Sequence, residues 1–392
     1  MNLNKLSPYI RVAMYSTLQA PFVIRKRVIY DYELIFVKNG KFTESADPKE
    51  KEIYDAKDLL AIPGLIDIHF HGSVGCDFMD GNLSSLSKIA AYQASCGITS
   101  ICPATMTMSE DRIHKACVAG AEFVPNDKQA ELVGINMEGP FVSPNKVGAQ
   151  NPKYVIKSSA EFFRRAQNAA KGLIKLLAIA PEEDGAIETI KALKDEVLCS
   201  IAHTTTNYDI AKEAIASGAT HITHLYNAMP PLHHRDPGPI AAGADAKDCD
   251  AEIICDGVHI HPAAVRAAFK LFTKDRMILI SDSMMAVGLE DGEYELGGQK
   301  VIVKGRLATL ESGTIAGSAT NLYDCMKTSV QKMEIPLEDA IKCATYNPAR
   351  SIGILDKAGS IEDGKKADLL LVDHDLNLKA VLLRGKWLKF DL

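Results

Sequence analysis

Between Pro63 and about Asn347 the chain alternates short β-rich apolar runs with helical patterns, the signature of a parallel sheet built from βα units. Eight runs can be counted: "GLIDIHFH" (64–71), "ITSICPAT" (98–105), "LVGINMEG" (132–139), "LIKLLAIAPE" (173–182), "EVLCSIAHT" (196–204), "THITHLYN" (220–227), "AEIICDGVH" (251–259) and "MILISDSM" (277–284). Helical patterns separate most of them, among others at 84–95, 185–196, 208–218 and 262–272. Eight such units in roughly 250 residues predict an α/β fold, a (β/α)8 TIM barrel whose chemistry sits at the C-terminal ends of its strands.

The polar residues fall at those ends. His69 and His71 end the first run, Glu138 the third, His203 the fifth, His224 the sixth, His259 the seventh and Asp282 the eighth. Any single one can be a packing or capping residue, and an isolated His-x-His pair is more often not a metal site than a metal site. Six strand ends converging on one barrel mouth make a purely structural reading improbable. Residues two apart on a strand share a face, so His69 and His71 point to the same side and Phe70 to the other. Several imidazoles with one carboxylate and an open position describe a catalytic zinc-type site. A divalent ion there lowers the pKa of water from 15.7 to about 7 and makes it a nucleophile toward a carbonyl. A neighbouring carboxylate can take the proton and pass it to the leaving group, and Asp282 is placed for that work.

Composition narrows the partners. A formal charge of −6 offers no field that would draw nucleic acid or an anionic membrane, so any phosphate recognition must be local. Three charges in "IRKRV" (24–28) read as a solvated strand edge. Nine cysteines without a Cys-x-x-Cys pair read as reduced packing residues of a cytoplasmic protein. The N-terminus lacks a secretory pattern, and no segment supplies the eighteen or so apolar residues of a membrane span. At 392 residues the chain exceeds what one core normally holds, so a second unit is expected beside the barrel. "YELIFVKNGKF" near the start and "ADLLLVDHDLNLKAVLLRGKWLKF" at the end are strand-and-turn patterns with "NGK" and "RGK" turns, and 288–314 reads as a hairpin inserted after the eighth strand.

With the motifs "PGLIDIHFHG", "NMEGPFVSPNKVGAQNP", "IAHTTTNY", "THLYNAMPPLHHRDPGP", "CDGVHIHP", "SDSM" and "GTIAGSATNL", the chain resembles the amidohydrolase superfamily and, within it, the N-acetylglucosamine-6-phosphate deacetylases. The match runs from about residue 33 over nearly the whole chain. It implies a barrel over 63–350 and a small β-sandwich formed by both termini, 1–62 and 351–392. It further implies that Glu138, His203 and His224 bind the principal metal, that His69 and His71 with Glu138 bind a second ion, and that Asp282 is the catalytic aspartate. The resemblance thus implies one or two divalent ions per chain, zinc or iron, while imidazole ligation by itself suits zinc, iron and nickel alike.

For the substrate, a small amino-sugar phosphate, the resemblance implies contacts from Ala149, Asn227, Ala228, His259, Ile315, Ala316 and Gly317, with Arg235 reaching in from the neighbouring subunit of a homodimer. Arg pairs with phosphate bidentately, which makes that assignment chemically sensible. Three features depart from the family pattern. Gln150 stands where a lid histidine is frequent, the first 30 residues are unlike the usual opening, and His233 and His234 precede Arg235 in a loop where exposure is their simplest reading. The expected reaction is hydrolysis of the acetamide of N-acetylglucosamine 6-phosphate. Alternatives are the galactosamine epimer, a cyclic-amide hydrolase or aminohydrolase, which the absence of a lysine at the end of the fourth run disfavours, and a catalytically dead scaffold.

Overall fold

The computed structural model describes residues 12–14, 17–25, 28–43, 52–56 and 59–390. Each of the eight apolar runs holds a strand: β1 Leu65–Asp67, β2 Ile98–Ile101, β3 Ile135–Met137, β4 Ile174–Ile179, β5 Leu198–Ile201, β6 Ala219–Ile222, β7 Asp250–Ile254 and β8 Met277–Ile280. β3 to β8 form one parallel six-stranded sheet, and β1, β2 and the short strand Glu131–Leu132 form a second. Helices pack on their outer face and strand side chains such as Ile66, Leu176, Ile254 and Ile278 pack with one another, so both faces are covered and the strands read as nearly unbroken apolar runs.

The two sheets curl into one barrel at identifiable places. The third run is divided: Glu131–Leu132 pairs with β2 and β3 pairs with β4. Gly134 lies at the step, where a Cβ would sit 2.5 Å from the Lys175 side chain. Bonds from Asn136 N to Pro103 O (2.9 Å) and from Thr105 N to Asn136 O (2.8 Å) close that side. Across the other seam, the segments beyond β8 and β1 bond through His71 N to Ser283 O (2.7 Å) and Asp282 N to His69 O (2.9 Å). At this second seam, closure is made by residues that carry the polar strand ends.

The expected helices are present at Leu83–Ser95, Ala186–Leu193, Tyr208–Ser217 and Pro262–Arg276. Local chemistry sets their limits. Asn82 accepts from Ser85 N at 2.9 Å and Asn207 from Ile210 N at 2.9 Å, each satisfying a free first-turn amide. The insertion after β8 has one strand more than expected: Gly292–Leu296, Gln299–Lys304 and Leu307–Leu310 make an antiparallel meander. Its added strand follows a turn at Gly305–Arg306, too short a signal to separate from a loop in sequence.

Both chain termini meet in one nine-stranded sheet, in the order Lys386–Phe390, Leu378–Leu383, Leu369–Val372, Leu60–Pro63, Thr17–Arg25, Glu52–Asp55, Val12–Met14, Val28–Lys38, Lys41–Thr43. The "NGK" and "RGK" sites are its tight turns. Asn39 (φ 51°) with Gly40 (φ 75°), and Arg384 (φ 49°) with Gly385 (φ 77°), take the paired positive φ of a two-residue hairpin. Alternate residues serve two cores: Ala61, Leu369 and Leu371 pack with Ile35, Val37 and Phe42, while Ile62, Leu370 and Val372 join the barrel's hydrophobic core. Of "IRKRV", Lys26 and Arg27 lie outside the described residues. All nine cysteines are free thiols and eight are buried, as packing residues should be. Among the described residues no helix is long and apolar enough to cross a membrane.

Candidate active site

The C-terminal ends of the strands enclose a cleft of about 440 Å³ with Glu138 at its floor. Three imidazoles converge on one oxygen of that carboxylate. His203 Nε2 lies 3.0 Å, His224 Nε2 3.1 Å and His69 Nε2 3.5 Å from Glu138 Oε1. The other oxygen faces His71 Nε2 at 3.3 Å and accepts from Gln150 Nε2 at 2.8 Å. Asp282 Oδ1 lies 3.2 Å from His71 Nε2 and 3.9 Å from His69 Nε2. The five expected ligands and the expected proton carrier therefore share one spot.

Two overlapping triads, His69–His71–Glu138 and Glu138–His203–His224, present one ligand atom per residue, within 4.8 Å of one another in each triad. The donor set fits a divalent cation on three counts. It is nitrogen and oxygen only, with imidazole dominant. His69 Nε2 is buried without a hydrogen-bond partner although it points at the cluster. The surroundings also call for positive charge. Burial opposes protonation of His71, yet Asp282 and Glu138 hold its pKa up to about 10, and Glu252 and Glu138 raise His69 well above its ordinary value. The same contacts hold Glu138 well below the usual carboxylate range against its burial.

Several residues around the cluster are backed by a neighbour that fixes their direction. His203 Nδ1 contacts Lys146 O at 3.1 Å, and Gln150 Oε1 accepts from Thr107 N at 2.6 Å, so Gln150 is clamped between that amide and Glu138. His259 Nδ1 bonds Asp256 Oδ2 at 2.7 Å, which raises the imidazole pKa despite burial. Asp256 also accepts from His259 N and Val258 N and from Ser318 Oγ. Its side chain anchors the loop that ends β7.

Ala149, Asn227, Ala228, His259, Ile315 and Gly317 line the cleft with His71, His203, His224 and Asp282. Ala316 is fully buried behind them, its amide bonded to Ala308 O at 3.0 Å. Arg235 is not brought to the cleft of its own chain: it is exposed, and its Nη1 lies 2.8 Å from His234 Nε2. His233 and His234 are exposed beside it, their rings 4.2 Å apart.

Sequence reasoning missed Lys146, which lines the cleft, and two fully buried polar residues, Glu252 and His221. For Glu252 a signal existed. A carboxylate inside the apolar run "AEIIC" of a parallel strand needs buried partners, because such a strand offers it no water.

Residues 60–388 match the model of the amidohydrolase family. The chain is 40% identical over 344 residues to the N-acetylglucosamine-6-phosphate deacetylase of Bacillus subtilis (strain 168), covering 86% of this chain and 87% of that one. It is 32% identical over 333 residues to the N-acetylgalactosamine-6-phosphate deacetylase of Escherichia coli O157:H7, covering 84% and 88%. A mutant N-acetyl-D-glucosamine-6-phosphate deacetylase from Mycobacterium smegmatis, solved in complex with N-acetyl-D-glucosamine-6-phosphate, superimposes with a TM-score of 0.87 at 29% identity, covering 95% of this chain and 98% of that one.

Proposed function

The chain belongs to the amidohydrolase family, and we propose that it hydrolyses the acetamide of N-acetylglucosamine 6-phosphate to glucosamine 6-phosphate and acetate. The observation that carries this is the convergence of His69, His71, His203 and His224 on Glu138, with Asp282 beside them, in a chain whose curated relatives include deacetylases of that substrate. On this reading the barrel (63–350) does the chemistry, and the terminal segments (1–62 and 351–392) form the sheet domain beside it. The enzyme works in the cytoplasm as a homodimer.

Glu138, His203 and His224 would hold the principal ion, and His69 and His71 with Glu138 a second, zinc or iron in each case. Such ions supply Lewis-acid polarisation and acidify water. The chain's own residues do the rest. Asp282 Oδ1 takes a proton from the attacking water and returns it to the amide nitrogen as the C–N bond breaks, so the sugar leaves as an amine and the acetyl group as acetate. Gln150, held by Thr107 N, keeps Glu138 Oε2 turned toward His71. Asn227, Ala228 and His259 receive the sugar phosphate with Arg235 of a second subunit, and Ala149, Ile315, Ala316 and Gly317 form the wall around the sugar.

Steady-state assay of N-acetylglucosamine 6-phosphate, its galactosamine epimer and unphosphorylated N-acetylglucosamine tests the reading. The first should be turned over with the highest kcat/KM. The epimer is the second reading, favoured by the 32% identical relative, and preference for it would replace the first. Equal turnover of the unphosphorylated sugar would remove the phosphate site.

A further inference from the structure

Behind the ligand cluster, on the side away from the cleft, lies a carboxylate that the proposed chemistry does not use. Glu252, in β7, is fully buried. Its Oε2 meets His69 Nδ1 at 2.8 Å and the backbone amide of His224 at 3.2 Å, and its Oε1 meets His221 Nε2 at 3.1 Å. The His224 amide is an obligatory donor, so Glu252 Oε2 faces it as an acceptor. An ionised carboxylate accepts only, which requires His69 to carry its proton on Nδ1 and leaves the Nε2 lone pair aimed at Glu138.

We infer that Glu252 is a positioning residue that fixes the tautomer and direction of His69 and, through the His224 amide, ties together the two triads that share Glu138. This rests on the metal-site reading above. The geometry supports the coupling from both ends. His69 is held by its ring, while His224 is held by its backbone in a left-handed conformation (φ 30°) that a side-chain-bearing residue adopts only when its surroundings impose it. His221 completes the arrangement: with Nε2–H given to Glu252, its Nδ1 faces Ser351 Oγ at 3.5 Å. Both oxygens of Glu252 thereby meet buried groups of the barrel, and the residue does not line the cleft. A carboxylate that orients a metal-binding imidazole through its far nitrogen is worth about 10–100-fold in metal affinity.

The test uses the full chain, with zinc as the probe. Apo protein is titrated with Zn²⁺ against a chromophoric chelator, and histidine tautomers are read from long-range ¹H–¹⁵N spectra. Wild type should show His69 as the Nδ1–H tautomer. Glu252→Gln should lose that signature and raise the zinc dissociation constant about 10–100-fold. In a His69→Ala background the same substitution should cost far less, because its main contact is already gone. Glu252→Asp keeps the charge on a shorter arm and should fall between the two if Glu252→Gln does not fold. An Nε2–H tautomer of His69 in wild type overturns the inference, as does an undiminished loss in the His69→Ala background. Should wild type bind no zinc while showing an Nδ1–H signature that Glu252→Gln abolishes, the metal reading fails and the Glu252–His69 pairing stands.

Discussion

His203 (φ 42°), His224 (φ 30°) and Asp282 (φ 51°) all sit in left-handed backbone conformations, which glycine tolerates and β-carbon-bearing residues rarely do. Backbone bonds hold them there: Ser143 N to His203 O (2.8 Å), Asn227 N to His224 O (2.9 Å) and Ser318 N to Asp282 O (2.7 Å). Strain of this kind persists where the surroundings over-determine a position, and here it turns each side chain from the strand's end into the cleft. Asp282→Asn preserves shape and removes the proposed proton carrier. It should retain metal, measured by mass spectrometry, while kcat falls at least about a hundredfold. His203→Ala or His224→Ala should instead lower the metal content itself. A His69→Ala, His71→Ala double variant should bind close to one ion where wild type binds close to two, and wild-type activity unaffected by that loss would reduce the His-x-His pair to a packing role.

At the scale of elements, the segment after His71 turns sharply into the two-stranded hairpin Gly72–Ser73 and Cys76–Asp77. A Cβ on Gly72 would lie 2.1 Å from Cys76 O, a backbone atom with no side-chain freedom to yield. Gly72→Ala should therefore cost about 1–3 kcal/mol, as overpacking does, and displace His71 with it. The checks are a lowered urea midpoint together with reduced metal content. The barrel was legible in sequence for a related reason. Strands covered on both faces must be apolar throughout, so the polar residues at 69, 71, 138, 203, 224 and 282 stood out where each run stopped. Glu252 broke the same pattern from within a run but was hidden by it, since periodicity locates strands and does not tell which interior carboxylate has found partners. Gln150 departs from the family pattern in sequence, and its bonds to Thr107 N and Glu138 depend on a loop conformation that no local rule encodes. The third strand of the meander escaped because four residues after a turn carry too little alternation to separate from a loop.

At the scale of the whole molecule, two residues outside the His–Glu cluster tie the proposed function to assembly and to stability. Arg235 lies on an exposed loop and does not line the cleft of its own chain, so a phosphate role requires a second chain. Arg235→Ala should raise KM for the phosphorylated sugar far more than it lowers kcat. Mixed dimers of Arg235→Ala and Asp282→Asn chains should recover activity at the one hybrid site that has both residues, and absence of recovery would return Arg235 to a surface role. Asp368 sits where the terminal sheet meets the barrel: its carbonyl accepts from Gly64 N at 3.0 Å, just before β1, and its Oδ1 accepts from Arg384 N at 2.7 Å. Burial is the dominant influence on its carboxyl and pushes the pKa up to about 6 from 3.8, outweighing the hydrogen bond from Arg384. Between those values the folded chain binds more protons than the unfolded one, so this group's contribution to stability is full below pH 3.8 and is lost as pH rises through about 6. The loss amounts to about 3 kcal/mol at 1.36 kcal/mol per pKa unit. Asp368→Asn still accepts from Arg384 N through its amide oxygen but cannot ionise. The variant's urea midpoint relative to wild type should therefore climb as pH is raised from 4.5 to 7, and a difference that stays flat over that range would mean that the carboxylate is already ionised at the lower pH.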